Sequence, residues 1–118
     1  MTEPLAGATR IDHAVNASLA LAYLSLKAQD QVTLHAFDEQ VRVTERTRRG
    51  AASFATIRRR ISELEAHPTE TNFTLGLTDL SARLDRRALV VVMTELVDTI
   101  TAELMVENLQ RMARRHLI

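Results

Sequence analysis

Ala88-Leu89-Val90-Val91-Val92-Met93 is an unbroken apolar run of six residues, and it decides the fold class. It is short for a helix and rich in valine, which suits a pleated backbone. With no polar residue on either face, it is expected as a strand in the middle of a sheet covered by helices on both sides.

Downstream of the run, Ala102, Met105, Leu109 and Met112 recur at helical spacing and mark a final helix ending in Arg114 and Arg115. Leu117 and Ile118 look like the first residues of a further strand. Upstream, Phe73, Leu77, Leu80 and Leu84 predict a third helix closed by Asp85 to Arg87. Before that, Phe54, Ile57, Ile61 and Leu64 predict a second helix, which Pro68 stops. Val32 to Phe37 and Val41 to Val43 are rich in strand formers and flank the polar Asp38-Glu39-Gln40, so a hairpin is expected, followed by an arginine-rich loop over Thr44 to Gly50. Thr9 and Asp12 resemble a capping box ahead of Ile11, Val15, Leu19, Ala22 and Leu26. That first helix carries Leu21 and Leu24 on other faces, is expected to be covered on more than one side, and should end near Gln29 and Asp30. The order is helix, hairpin, helix, helix, buried strand, helix. This is an α/β layout with four helices over at most three strands, fewer than a parallel sheet covered on both faces normally has.

The length of 118 residues suits one domain, spanning residues 1–118, since domains run about 100–200 residues. A 46% hydrophobic and 25% charged composition argues against global disorder, and 3% aromatics make the core aliphatic. Fifteen basic and fifteen acidic residues cancel, which removes whole-molecule steering towards nucleic acid or anionic membrane and does nothing to oppose self-association. The absence of cysteine excludes disulfides, thiolate catalysis and thiolate–zinc sites. No apolar run approaches the ~20 residues of a membrane span, and Met1 to Arg10 has no signal-peptide core. A cytoplasmic location is the expectation.

Three segments carry a resemblance. Glu3-Pro-Leu-Ala-Gly leads into Arg10-Ile-Asp-His-Ala-Val-Asn-Ala and then Gln29-Asp-Gln-Val-Thr-Leu-His-Ala-Phe-Asp; Glu70-Thr-Asn-Phe precedes a helix ending Ala82-Arg-Leu; Leu89-Val-Val-Val-Met-Thr-Glu-Leu-Val-Asp leads to Ala113-Arg-Arg-His. Together, and in this order over nearly the whole chain, they resemble the bacterial proteins of domain of unknown function 58, which carry a von Willebrand factor A-like domain. The resemblance implies a partial three-layer, Rossmann-like fold. In that fold a central first strand and its Asp-x-Ser-x-Ser metal loop precede the opening helix. The first central strand and later strands are therefore expected to be missing, and Met1 is expected to be an internal methionine of a longer protein.

The metal ion adhesion site of such domains draws oxygen ligands from three loops, as hard Mg²⁺ or Mn²⁺ requires. The resemblance places Thr71 in the second loop and Glu95 where the third usually has aspartate, with Asp98 a nearby extra carboxylate. Without the first loop these three are expected to be a remnant that holds no ion in this chain, with Thr71 capping the third helix and Glu95 solvated. Mg or Mn belongs to an intact relative, and no cofactor is expected here. His13, His35, His67 and His116 show no i, i+4 pair of the zinc type. Gly7, Gly50 and Gly76 are isolated, and no serine sits in a nucleophile elbow, so no enzyme activity is expected.

Arg46, Arg48, Arg49, Arg58, Arg59 and Arg60 form two basic clusters that could contact phosphates. No aromatic is interleaved for base stacking and Glu45, Glu63 and Glu65 lie close, so a solvated face is expected and nucleic acid is the minor alternative. The resemblance implies a protein-interaction or scaffold module working with a MoxR-type AAA+ ATPase. Unpaired strand edges further predict a homo-oligomer. The alternative is a regulatory or nucleic-acid-binding module using residues 46–60.

Overall fold

The computed structural model describes residues 4–5, 8–64, 70–94 and 99–118. Its elements are β1 (Pro4–Leu5), β2 (Ala8–Thr9), α1 (Arg10–Lys27), β3 (Thr33–Phe37), β4 (Val41–Arg46), α2 (Phe54–Ile61), α3 (Phe73–Arg83) and α4 (Thr99–Met112). The α/β class and the four helices stand as expected, and β3 and β4 form the expected hairpin. The chain divides into two compact units, Met1–Ala36 with Arg42–Pro68, and Phe37–Val41 with Thr69–Ile118.

In the first unit β1 pairs antiparallel with β2, which runs directly into α1. The helix buries Ala22 and Leu26, one turn apart, against Ile57 of α2, and Leu19, Val32, Leu34 and Phe54 pack around them. Leu21 and Leu24 are exposed. Within the described residues α1 is thus covered on one side, which corrects the expectation of cover on more than one. The helix stops where Gln29 adopts φ 66°. Asp30 N–H then donates to Ser25 C=O and Gln29 N–H to Leu26 C=O, the bond pair that closes a helix through a left-handed residue.

β4 runs to Arg46 rather than ending at Val43, because Thr47 seals the open end of the hairpin. Thr47 is buried; its N–H and hydroxyl both donate to Val32 C=O at 2.9 Å, and its oxygen accepts from Val32 N–H at 3.2 Å. Gly50, at φ 98°, then turns the chain into a 3-10 turn over Ala51–Ser53 that feeds α2. α2 ends at Ile61, where Glu63 and Leu64 tighten to i−3 bonds. The expected stop at Pro68 lies outside the described residues.

In the second unit Phe73, Leu77, Val90 and Met112 are buried together, with Phe37, Leu80, Leu84, Val92, Met105 and Leu109 against them. Phe37 from the hairpin tip meets Phe73 edge-on, centroids 5.8 Å apart at 86°, a favoured aromatic geometry. Gly76 makes this possible, since a Cβ there would collide with the Phe37 ring. The segment before α3 is tied to the same tip: Asn72 N–H donates to Asp38 C=O at 2.8 Å.

The Ala88–Met93 run departs from expectation. Among the described residues its backbone ladders at one point, a parallel bridge between Leu89 and Leu117, with Val90 N–H donating to Leu117 C=O and Leu117 N–H to Ala88 C=O. Val90 is buried and Val92 half-buried, while Leu89 and Val91 are 65% and 51% exposed. Only one face of the run is covered within the described residues, so it is not the doubly covered inner strand that its composition predicts. Composition fixes what a strand tolerates on each face; occupancy of the second face needs a neighbour, and none is present among these residues.

Candidate functional site

Thr71 sits half-buried just before α3. It does not cap the helix: Asn72 does, its Oδ1 accepting from Leu75 N–H at 3.0 Å. The expectation for Thr71 is corrected, and the reason is register. The capping oxygen must reach the amide three residues on, and with Phe73 buried as the first helical residue that position falls to Asn72. Glu95 and Asp98 lie outside the described residues. Among the described residues no three His, Cys, Asp or Glu side chains gather as a metal site.

The Ala88–Thr94 segment is the described chain that leads up to Glu95, and its surroundings are apolar. An open groove of about 490 Å³ lies along it, formed by Leu89, Val91, Val92, Met105, Leu109 and Ile118 among others. Alternation along an extended chain directs the N–H and C=O of Ala88, Val90 and Val92 to one edge and those of Leu89 and Val91 to the other. The first edge carries the Leu117 bridge. No hydrogen bond joins Leu89 or Val91 main chain to another described residue. The segment thus combines a main-chain edge able to pair with side chains of the same two residues turned to solvent. Leu117 and Ile118, also exposed, extend that apolar surface.

The arginines divide into engaged and unengaged groups. Arg60 pairs with Glu63 at 2.7 Å and approaches Glu45 at 4.0 Å. Arg58 lies over the Phe54 ring, 5.9 Å from its centroid, and Arg46 donates to Gln31 Oε1 at 3.4 Å. Arg48, Arg49 and Arg59 are exposed and meet no carboxylate within salt-bridge distance among the described residues. The histidines scatter: His13 is exposed, His35 Nδ1 lies 3.2 Å from Thr44 Oγ1, and His67 is outside the described residues. His116 is buried, its Nδ1 accepting from Ala88 N–H at 3.0 Å.

Sequence patterns gave no signal for Thr47, Gly76, Asn108 or His116, all of which turn out to hold elements together. Each is a polar or small residue whose partner is distant in the chain, and periodicity reports on neighbours only.

No described helix is long and apolar enough to cross a membrane. A family model described as "Protein of unknown function DUF58" matches residues 6–118. No curated protein and no solved structure matches the chain.

Proposed function

We propose a protein-interaction role for this chain, which belongs to the family described as Protein of unknown function DUF58. The observation that carries the proposal is the Leu89–Val91 edge, whose main chain is without a partner among the described residues and whose side chains face solvent. An extended segment of another chain adds to such an edge through main-chain hydrogen bonds, and the apolar groove beside it accepts alternate side chains. The resemblance to von Willebrand A-like domains supports the same role, since it makes this run an inner strand with neighbours on both edges. It also implies a scaffold role with a MoxR-type AAA+ ATPase as partner, and a second copy of this chain competes for the same edge.

The decisive experiment is sedimentation of the chain alone and with the candidate ATPase, in wild type and Val91→Arg. Association that the substitution abolishes, with the melting temperature unchanged, is expected. Association that survives Val91→Arg, or none with either partner, rejects the edge as the contact.

Thr71, Glu95 and Asp98 are, in this proposal, a remnant that holds no Mg²⁺ or Mn²⁺ in this chain. A Mg²⁺ titration followed by thermal unfolding should leave the transition unmoved, because only a ligand bound to the folded state raises it. The second reading, a nucleic-acid-binding module using residues 46–60, is favoured by Arg48, Arg49 and Arg59, which meet no carboxylate within salt-bridge distance among the described residues. It requires duplex DNA binding that falls steeply with salt and is lost on Arg58→Ala/Arg59→Ala.

A further inference from the structure

A cavity of about 260 Å³ lies between α3 and the end of α4, distinct from the apolar groove. Its lining includes Thr78 and Ser81 from α3, Asn108 and Arg111 from α4, and Arg115 and His116 after it, with no carboxylate. Two of these polar side chains, Asn108 and His116, are each only 4% exposed. Asn108 is held in place by its own bonds, its Nδ2 donating to Leu104 C=O at 2.7 Å and to Thr74 Oγ1 at 3.2 Å.

His116 has a determined role for one nitrogen. Nδ1 accepts from Ala88 N–H, so it bears no proton, and the neutral ring carries its proton on Nε2. That Nε2–H has no hydrogen-bond partner among the described residues. No buried side-chain nitrogen or oxygen among the described residues lacks a partner, so Nε2 is open to solvent, and the cavity that His116 lines is where an acceptor would sit. Arg111 and Arg115 are exposed at the same cavity, and neither guanidinium forms a hydrogen bond or ion pair with a described residue. Two hydroxyls, of Thr78 and Ser81, complete a set rich in donors with two positive charges.

We propose that this cavity binds a small oxyanion, the phosphate or carboxylate group of a small molecule. His116 Nε2–H donates from the floor, and Arg111 and Arg115 clamp from the rim. A planar guanidinium fork matches both anions, and charge-assisted bonds of this type are roughly twice as strong as neutral ones. The site is independent of the Leu89–Val91 edge, so Val91→Arg leaves it intact.

The test is titration of the isotope-labelled chain with inorganic phosphate, with acetate, and with chloride at matched ionic strength, following amide shifts of residues 78, 81 and 111–116. Saturable shifts with phosphate or acetate but not chloride are expected, and which anion produces them identifies the group bound. Arg111→Gln/Arg115→Gln should weaken binding at least about tenfold, the loss of one or more charge-assisted bonds, at an unchanged melting temperature. Should the double variant unfold, each single substitution carries the same expectation. Shifts that do not saturate, that chloride reproduces, or that survive loss of the arginines overturn the proposal.

Discussion

The β3–β4 hairpin and the Ala88–Thr94 run both carry strand-forming residues, Leu34, Val41 and Val43 in one and Leu89 to Val92 in the other, yet the molecule treats them differently. In the hairpin every residue of β3 is at least half-buried and Val43 of β4 is 3% exposed. In the run, Leu89 and Val91 face solvent and one bridge, to Leu117, is the ladder among the described residues. The difference is in where each finds its partner. Asp38, Glu39 and Gln40 bring β4 back beside β3 within three residues, with Asp38 N–H donating to Gln40 C=O and Asp38 Oδ1 accepting from Gln40 N–H. Closing so short a turn costs little chain entropy. The run meets Leu117 only after the whole of α4, and its other edge meets nothing among the described residues. Strand-forming composition is a capacity; a ladder needs a second chain segment delivered to the right place.

Six substitutions test that contrast. The largest effect is expected for Phe73→Ala, since Phe73 anchors the hairpin tip through Phe37 and centres the second unit's core. It should cost about 3–5 kcal/mol, measured by urea unfolding; a loss under about 1 kcal/mol would mean the tip is held by something else. Next, Val43→Thr and Val91→Thr place the same hydroxyl in the paired strand and the unpaired run. Val43→Thr should cost about 1–3 kcal/mol, the burial of a hydroxyl, and Val91→Thr within about 0.5 kcal/mol, as at exposed sites. Equal costs would erase the contrast.

Gly76→Ala should destabilise by about 1–2 kcal/mol, because the clash with Phe37 outweighs the roughly 1 kcal/mol that alanine gains in a helix. A more stable variant would show that the ring moves aside freely. The smallest effect concerns the helix start: Asn72→Ala should cost about 1 kcal/mol, while Thr71→Ala stays within about 0.5 kcal/mol. The reverse order would restore Thr71 as the cap.

Much of the fold was legible. The spacings of Phe73, Leu77 and Leu80, and of Met105, Leu109 and Met112, placed α3 and α4, and the polar triplet at 38–40 placed the hairpin. The family was legible too, from segments spread along the chain. The candidate sites were less so. Thr71 stands at the start of α3, as its motif suggested, but one register position decides that Asn72 does the capping. The donor-lined cavity was invisible, since Ser81, Arg111 and His116 lie on no shared period and meet only when α3 and α4 pack.

By itself, then, the sequence determined which segments are helices and where the chain turns, because those depend on spacing and residue type within one segment. Only the tertiary structure decided which face of Ala88–Met93 is covered, that Gly76 admits the Phe37 ring, and that His116 lines a cavity together with Arg111 and Arg115. Burial and hydrogen bonding are properties of pairs, and the second member of each pair lies far along the chain.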